Sequence, residues 1–281
     1  MADQFKDKVA IVTGVASGIG RALCEVLCQR GAHVIVADID VARAQRLASA
    51  MSTHGGQARA TYVDVANLEL VRTLVSDTTS RYGRLDYMFN NAAATASRGE
   101  LHDLPLEPWY RAINVNLLGV LYGTIAAYSF MVRQGSGHIV NTASLAGLVG
   151  FPTSIPYGVT KSAVVNLTAS LRVEAAELGI NVSVVCPGPV HGEQRQRFKL
   201  IGVDRAARVV LHGVERNHAI IVFPLSARLL WWLYRLSPSL IFPIGRKLVR
   251  DFRRERQHRS PRGADGVRPE WSSRFKGPGS N

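Results

Sequence analysis

Hydrophobic positions in the first 225 residues form short apolar runs separated by longer amphipathic segments. The runs are rich in β-branched residues and are typical of strands at 8–13, 33–37, 58–63, 85–90, 137–142, 180–185 and 219–223. Between most of these runs, apolar residues recur every three to four positions, which is typical of helices. This alternation predicts an α/β fold in which a doubly wound parallel sheet of about seven strands carries helices on both faces.

Two long helices are expected in the second half of this sheet. The segment 107–133 is apolar on nearly all sides, which favours a helix buried inside the protein. A second helix, at about 157–178, follows the fifth strand. Because parallel α/β sheets bind ligands beyond the carboxyl ends of their strands, the side chains that follow each strand are the candidates for a site.

Reactive side chains are concentrated after the fifth strand, where Ser144, Tyr157 and Lys161 lie within eighteen residues. Tyr157 and Lys161 are four residues apart, so a helix would place them on one face. A nearby ammonium group favours the phenolate and would lower the pKa of Tyr157, which is about 10 in an unperturbed tyrosine. Alone, each residue would more often be a loop cap, a packing residue or a solvated cation, but together they indicate acid/base chemistry.

The first strand leads through a glycine-rich loop into a helix. Thr13, Gly14, Gly18 and Gly20 form the pattern TGxxxGIG at this point. Glycine permits a tight turn and lets the backbone approach a pyrophosphate, whose charge is attracted by the free N–H groups of the helix start. This context predicts a dinucleotide site.

Acidic residues follow the second and third strands. Asp38 comes eighteen residues after Gly20, from where a carboxylate can accept hydrogen bonds from an adenosine ribose. A carboxylate repels a 2′-phosphate, and no Arg or Lys lies beside it to bind one, so NAD is predicted over NADP. Asp64 and Val65 are placed to meet the adenine. Capping of the next helix is the alternative for Asp38, and explains Asp64 nearly as well.

Together, these motifs resemble those of the short-chain dehydrogenase/reductase family. The resemblance covers roughly residues 6–190 and also rests on the NNA of residues 90–92, the VNLLG that contains Asn116, and Pro187-Gly188. It implies a Rossmann-type sheet, a nicotinamide cofactor and hydride transfer between a secondary alcohol and a ketone.

The resemblance also implies a role for each site residue. Tyr157 would be the general acid or base, and Lys161 would lower its pKa and hold the nicotinamide ribose. Ser144 would bind the substrate oxygen, and Asn116 would hold a water in a proton relay. The implied cofactor-binding residues are Thr13, Gly14, Ser17, Gly18, Ile19, Gly20, Asp38, Asp64, Val65, Asn91, Ala92, Tyr157, Lys161, Pro187, Gly188 and Val190. No metal site is expected.

Two positions depart from the family's motifs. Ala93 stands where glycine is usual, so it is expected to accept a backbone conformation that glycine takes freely. The threonine usual after PGxV is absent, which removes one hydroxyl contact, although the N–H of Val190 could still bind the cofactor carboxamide. His191 either faces the substrate or, as the better interpretation, is a solvated loop residue. The substrate pocket is expected to be walled by residues after Ala94 and after Val190.

Charge is distributed unevenly along the chain. The formal net charge is +13, but residues 191–281 hold 19 of the 34 Lys and Arg and only 7 of the 21 acidic residues. The three cysteines, Cys24, Cys28 and Cys186, include no CxxC pair, which argues against a disulfide framework or a zinc site. The N-terminus lacks the pattern of a secretion signal, so a cytoplasmic setting is expected.

The C-terminal part combines aromatic, leucine-rich and basic residues. Interpreted as a helix, 227–236 would put Arg228, Trp231, Trp232 and Arg235 on one face, with leucines largely on the other. Too few continuous apolar residues occur here for a spanning helix. Peripheral attachment to an anionic membrane, with a lipophilic substrate, and a lid or subunit contact with a solubilising tail are equally good interpretations.

The expected organisation is a catalytic domain (1–225), an amphipathic extension (226–250) and a basic, disordered tail (251–281), with membrane contact through 226–259. By resemblance, the two long helices would pair subunits into a homodimer or homotetramer. Nucleic acid is not an expected partner, because the basic run contains no base-reading module. A catalytically idle dinucleotide sensor or membrane scaffold is the alternative to an enzyme, and the intact catalytic set favours the enzyme.

Overall fold

The computed structural model describes residues 3–16, 18–53, 55–94, 98–191 and 201–259. Ser17 of the predicted dinucleotide loop and the chain from residue 260 onward lie outside these ranges. The strands within them are β1 (Val9–Thr13), β2 (His33–Asp38), β3 (Gln57–Tyr62), β4 (Tyr87–Asn90), β5 (Gly137–Thr142), β6 (Ile180–Pro187), β7 (Val190–His191), β8 (Ile201–Gly202) and β9 (Ile220–Phe223). The two-residue strands β7 and β8 pair only with each other, and the other seven form one parallel sheet in the order β3-β2-β1-β4-β5-β6-β9. The predicted seven-stranded sheet is confirmed.

Most of the helices lie where the 3.6-residue pattern predicts them. The last helix, Phe242–Arg259, was not predicted, and it includes residues 251–259 of the tail that was expected to be disordered. The helices are α1 (Gly18–Gln29), α2 (Val41–Thr53), α3 (Leu68–Tyr82), α4 (Glu107–Ala112), α5 (Gly119–Gln134), α6 (Ile155–Ala175), α7 (Val203–Glu215), α8 (Leu225–Leu236) and α9 (Phe242–Arg259). The predicted helix 107–133 is thus α4 and α5, joined by a π-helical segment, Ile113–Leu118. The predicted helix 157–178 corresponds to α6 and a short 3-10 turn after it.

Each face of the sheet has its own core. Successive residues of a strand point to opposite faces, so Ala10 and Val12 of β1 pack under α1, α2 and α7, whereas Val9 and Ile11 pack under α3 and α5. α6 continues this second layer over β5 and β6. The continuous apolar runs of the strands follow from this two-sided burial.

The order of strands reverses at β1, which lies between β2 and β4. β3 lies beyond β2, whereas β5, β6 and β9 lie beyond β4. The loops after β1 and β4 therefore leave the sheet in opposite directions and open a crevice at its carboxyl edge. Motifs that follow β1, β2, β4, β5 and β6 are all brought to this edge.

The helical stretch Glu107–Gln134 has the length and apolar composition of a membrane-spanning helix, with a mean hydropathy of 1.6 in its most apolar window. Its α5 part packs on β4, β5 and α3, so its apolar composition is used to cover the sheet. The same composition is expected of a helix in the core of an α/β domain.

The residues after β9 form a C-terminal segment, 225–259, that lies against the body of the protein. The inner side of α8 contributes Ala227, Leu230, Trp231 and Tyr234 to an apolar cluster with Leu145 and Val149. Arg253 and Arg256 of α9 form ion pairs with Glu100 and Asp103, and Arg98 stacks on Phe252. α9 runs without a break across the boundary that the sequence placed between residues 250 and 251. Phe252 and Arg253, just after that boundary, make two of the contacts with the body.

Candidate active site

Two glycines allow the loop after β1 to lie close to the end of β4. Gly14 has a φ of +72°, and a Cβ there would lie 2.5 Å from Ala92 Cα. A Cβ at Gly20 would lie 2.2 Å from the Gly14 carbonyl oxygen. Any side chain at these positions would push the loop outward.

The start of α1 leaves room for a phosphate group. Gly18 has a φ of +65°, and a Cβ there would have no atom within 4 Å. The surface at the helix start is therefore open, and the free N–H groups of the first turn can approach an anion. These features fit the pyrophosphate of a dinucleotide, and Ile19 lies beside Gly18 in the same first turn.

Thr13 and Asn91 fasten the glycine loop to the end of β4. The Thr13 hydroxyl accepts hydrogen bonds from the N–H groups of Asn91 (3.1 Å) and Ala92 (3.2 Å). The Asn91 Nδ2 donates to the carbonyl oxygens of Thr13 (3.1 Å) and Gly14 (3.0 Å). Both side chains thus hold the walls of the predicted cofactor site at a fixed separation.

Asp38 also supports the loop. Its Oδ2 accepts from the Ala16 N–H at 2.8 Å, and its Oδ1 accepts from the Asp40 N–H at 2.9 Å. The side chain is buried at the carboxyl end of β2, and one oxygen reaches the glycine loop. The Asp38 carboxylate therefore stabilises both the turn before α2 and the glycine loop, and it also borders the crevice.

Asp64 and Val65 follow β3. Asp64 Oδ1 accepts from the Ala66 N–H at 3.0 Å, a local turn before α3. The cap of α3 is Asn67, so Asp64 does not cap this helix. Val65 is buried, and a Cβ at Gly119 would lie only 2.8 Å from its Cγ2. Val65 therefore packs against the beginning of α5, and the backbone at this point forms one side of the crevice.

The three predicted catalytic side chains converge at the carboxyl end of β5. Tyr157 is hydrogen-bonded to Ser144, whose Oγ also lies 3.5 Å from the Pro187 carbonyl oxygen. Lys161 is one helical turn further along α6, with its Nζ 5.7 Å from the centre of the Tyr157 ring. That ammonium group donates to the Thr142 carbonyl oxygen at 2.7 Å. Helix α6 and the end of β5 together hold all three groups.

Burial dominates the titration of this pair. The pKa of Lys161, which has no exposed surface, is lowered to about 8 because burial disfavours its charged form. The pKa of Tyr157 is raised, chiefly by burial, and a hydrogen bond from Ser144 opposes the rise. The expected lowering of the tyrosine pKa by Lys161 is not found: the pKa of Tyr157 is raised by burial, and the group that opposes the rise is Ser144.

Asn116 lies in the π-helical segment and is completely buried. Its Oδ1 accepts from the Ala94 N–H at 2.7 Å, and its Nδ2 donates to the Ala94 carbonyl oxygen at 3.2 Å. The side chain therefore holds the chain that follows β4. A water in the predicted relay would have to use the second N–H of Nδ2, the second lone pair of Oδ1 or the main-chain carbonyl.

The end of β6 closes the other side of the site. Pro187 faces Ser144 through its carbonyl oxygen, and the Gly188 N–H donates to the Phe223 carbonyl oxygen at 2.7 Å. A Cβ at Gly188 would lie 2.9 Å from the Ala227 Cβ, so this glycine permits α8 to approach. Val190 begins β7, and the side chain of His191 lies outside the described part of the chain.

Two further groups contact the catalytic residues but carry no motif that would reveal them. Thr142 acts through its main-chain carbonyl, which the residue type cannot disclose. Cys186 is fully buried, its sulfur accepts a hydrogen bond from the Ser144 backbone N–H, and burial raises its pKa to about 12. The sequence indicated this cysteine only as one of three unpaired thiols; all three are free and buried.

Two details of the sequence interpretation are wrong. Ala93 is not among the described residues with positive φ, so it does not need the conformation of a glycine. Trp231 and Trp232 do not share a face: Trp231 packs inward with Leu230 and Tyr234, whereas Trp232 is 56% exposed. The helix is turned by the apolar cluster beneath it, which a helical projection of the sequence alone does not contain.

A large apolar groove lies beside the catalytic residues but is not lined by them. It has a volume of about 1140 Å³ and runs between the 146–152 loop, the outer side of α6 at Ile155 and Val159, and the C-terminal segment. Tyr157 and Lys161 face away from it, toward the end of β5. The substrate walls that the sequence placed after Ala94 and Val190 fall largely on residues 95–97 and 192–200, outside the described ranges.

Known proteins share both the sequence motifs and this fold. A family model described as short chain dehydrogenase matches residues 8–199. The chain is 34% identical over 216 residues to a cyclohexanol dehydrogenase of Acinetobacter sp. (strain SE19), covering 77% of this chain and 84% of the relative. It is 38% identical over 193 residues to a cis-4-hydroxycyclohexanecarboxylate dehydrogenase of Sinomonas cyclohexanicum, covering 67% of this chain and 75% of the relative.

Solved structures agree with these relatives. A short-chain dehydrogenase/reductase from Burkholderia phymatum, solved in complex with NAD, superposes with a TM-score of 0.78 at 26% identity, covering 84% of this chain and 96% of that one. The seven-stranded sheet, the motifs at its carboxyl edge and the matching relatives together lead to one assignment. The chain belongs to the short-chain dehydrogenase family and is an oxidoreductase that acts on alcohol and carbonyl groups.

Proposed function

We propose that this protein is an NAD(H)-dependent oxidoreductase that interconverts a lipophilic secondary alcohol and its ketone. The observation that carries the proposal is the hydrogen-bonded pair of Ser144 and Tyr157 backed by a fully buried Lys161, at the same sheet edge as the glycine loop. A lysine is rarely buried without charged partners unless its ammonium has a task.

Each side chain has a distinct role in this proposal. Tyr157 gives a proton to the substrate oxygen in reduction and takes it back in oxidation. Ser144 donates a hydrogen bond to the same oxygen, where negative charge develops. Lys161 holds the ribose hydroxyls and, when protonated, favours the phenolate; Asn116 and Ala94 keep the proton path in place. The nicotinamide, when bound, supplies or accepts the hydride.

Asp38 supports NAD as the cofactor rather than NADP. Its carboxylate ends β2 at the crevice, and a 2′-phosphate there would meet a negative charge held by two backbone N–H groups. Both oxygens are already fixed, so the charge cannot easily rotate away. Ribose hydroxyls, which are hydrogen-bond donors, suit the same carboxylate.

A cyclic, largely apolar secondary alcohol is the substrate class we propose. The support comes from two relatives whose names state cyclohexanol and a hydroxycyclohexanecarboxylate as their substrates. Cyclohexanol carries a single hydroxyl group on an apolar ring, so it needs the polar contacts of Ser144 and Tyr157 and otherwise an apolar enclosure.

Turnover by wild type and Tyr157→Phe tests the proposal. NAD reduction followed at about 340 nm with a panel of cyclic and open-chain alcohols should show turnover by the wild type. The Phe variant should lose about 10²- to 10⁴-fold in kcat, because the proton donor and acceptor is gone. Its affinity for NADH, followed by fluorescence, should change little. A Phe variant with full turnover would show that Tyr157 is not the acid/base.

We further propose that the enzyme works in the cytoplasm as a homodimer or homotetramer, with its basic C-terminal segment at a membrane surface. The exposed faces of α4, α5 and α6 carry apolar side chains that a partner subunit could cover, among them Tyr110, Ile125 and Val173. The three buried free cysteines fit a reducing compartment.

A further inference from the structure

The outer side of α8 carries a stripe of exposed apolar side chains. Its members are Leu225, Leu229, Trp232, Leu233 and Leu236, with exposed fractions from 38% to 79%. The spacing i, i+4, i+7, i+8 and i+11 puts all five on one face of the helix. The opposite face already packs on the cluster around Leu145 and Val149, so this stripe is a second apolar face.

Further apolar side chains are exposed beyond α8. Leu240, Phe242, Ile244 and Leu248, in the turn after α8 and the first half of α9, are 41% to 64% exposed. Phe242, Ile244 and Leu248 line the apolar groove together with Leu230 and Tyr234, so they do not extend the stripe. We call the five-residue stripe on α8 the outer surface. Scattered exposed leucines are normal on a protein, but a contiguous set of this size indicates a surface that is covered in use.

The C-terminal segment that carries the outer surface is rich in cations. Residues 225–259 contain nine Lys and Arg and only two acidic residues. Arg228 and Arg235 lie exposed along one edge of the stripe on α8. Arg246, Lys247 and Arg250 of α9 are also exposed, and Arg246 and Arg250 line the groove. Within the described ranges, neither Arg246 nor Arg250 has an ion pair or hydrogen bond through its side chain. Their charge is therefore available to an external partner.

We propose that the outer surface binds an anionic lipid bilayer. Apolar side chains of the stripe would enter the boundary between headgroups and acyl chains, with Trp232 at the interface depth that tryptophan prefers. The flanking arginines would remain at the level of the lipid phosphates, because their long stems let the guanidinium groups stay in the polar layer. This arrangement places α8 parallel to the membrane plane.

Charge selects the bilayer over a second copy of this chain. In a symmetric dimer the same surface would face itself, so the cations on α8 and α9 of both copies would be brought together. An anionic bilayer instead offers opposite charge over the whole surface. Arg253 and Arg256 attach the second half of α9 to the body of the protein. A bilayer bound to the C-terminal segment would therefore lie close to the catalytic body.

Vesicle sedimentation tests this inference without any need for turnover, so its outcome is independent of the proposed reaction. Full-length protein would be mixed with phosphatidylcholine vesicles that contain or lack phosphatidylglycerol. We expect binding to the anionic vesicles, weakening as salt is raised, and a loss of about tenfold or more in the double variant Leu229→Glu/Trp232→Glu. Leu178→Glu, an exposed leucine after the far end of α6, is the matched control and should bind like the wild type.

Measurements on the same proteins without lipid separate the other outcomes. Circular dichroism and thermal unfolding should show that the double variant is folded, since both side chains are exposed. Light scattering coupled to gel filtration should give the wild-type mass. A wild type that ignores anionic vesicles, or a double variant that binds them fully, would overturn the inference. A double variant that falls to a smaller assembly would instead assign the outer surface to a second copy of the chain.

Discussion

Among single residues, Lys161 shows most clearly how function constrains stability. It is completely buried, yet its ammonium has one hydrogen bond, to the Thr142 carbonyl oxygen, and its pKa falls to about 8. A buried apolar residue would cost the fold less. The proposed role of a cation beside Tyr157 accounts for this cost.

The burial of the Lys161 charge predicts how the stability of the protein depends on pH. Between the pKa of about 8 in the fold and 10.5 in the unfolded chain, the unfolded chain binds more protons, so stability rises with pH in that window. A Lys161→Met variant lacks this pH-dependent contribution to stability. Its stability relative to wild type should therefore fall by about 2 kcal/mol from about pH 7 to about pH 9.5. Urea unfolding of both proteins across this range measures the difference, and a constant difference would contradict the prediction.

Asp38 gives a second prediction at the same scale. Asp38→Asn removes the negative charge but keeps a side chain of the same shape, so repulsion of a 2′-phosphate should disappear. The ratio of kcat/KM for NAD over NADP should fall by about tenfold or more. Asp40→Asn is the control, because Asp40 pairs with Arg43 at the surface and should leave the ratio unchanged. An unaltered ratio in the Asp38 variant would remove this residue from cofactor selection.

Residue types that chemistry requires could be read from the sequence, whereas contacts through the backbone could not. Ser144, Tyr157 and Lys161 could be selected because the proposed proton transfer needs those groups. The partners of Lys161 and Asn116 are carbonyl and N–H groups of Thr142 and Ala94, which every residue has. Nothing in their side chains distinguishes them before the fold brings them close.

At the scale of elements, the catalytic helix depends on a glycine in the loop that precedes it. A Cβ on Gly147 would lie 2.6 Å from the Lys161 carbonyl carbon, so only glycine lets this loop lie against α6. Gly150, three residues further on, has no atom within 4 Å of its Cβ position. The two positions form a natural comparison between a crowded and an open glycine.

Alanine at each position should separate packing from backbone freedom. Gly147→Ala should destabilise the fold by about 1–3 kcal/mol, because overpacking moves α6 or the loop, and should lower turnover by displacing Lys161. Gly150→Ala should change stability by less than about 0.5 kcal/mol. Urea unfolding and turnover rates test both variants. Equal behaviour of the two would mean that the loop, rather than α6, absorbs the added methyl group.

Boundaries and orientations of elements were only partly predictable. Apolar runs identified the seven strands to within about two residues, because burial on both faces leaves a continuous signal. The π-helical segment at Ile113–Leu118 has no such signal, and its Asn116 binds the backbone of Ala94, a contact that the apolar pattern does not contain. Which side of α8 points inward also depends on tertiary packing, as the partly buried Trp231 and the exposed Trp232 show.

For the whole molecule, the exposed faces of the long helices predict self-association. Val173 of α6 is 78% exposed, an unfavourable position for a valine unless a partner covers it. Val173→Glu should therefore shift the protein to a smaller assembly when mass is measured by light scattering. Leu229→Glu on α8, outside this face, should leave the mass unchanged. Retention of the wild-type mass by Val173→Glu would place the subunit interface elsewhere.

The overall architecture followed from a repeating pattern, and the attachment of the C-terminal segment did not. Parallel strands with helical crossovers permit few arrangements, so the sheet was predictable. In contrast, the segment 225–259 is held by ion pairs and stacking with Arg98, Glu100 and Asp103, which are more than a hundred residues away in sequence. Such contacts between surface charges have no periodicity from which they could be inferred.

Those same contacts affect how the enzyme could be re-engineered. Arg98, Glu100 and Asp103 continue directly from residues 95–97, where the sequence places one wall of the substrate pocket, and the Gly99 N–H donates to the Thr153 carbonyl oxygen at 2.9 Å. A loop transplanted from a relative would leave Arg253 and Arg256 without their carboxylates. To change the substrate preference, the loop and α9 should therefore be replaced together.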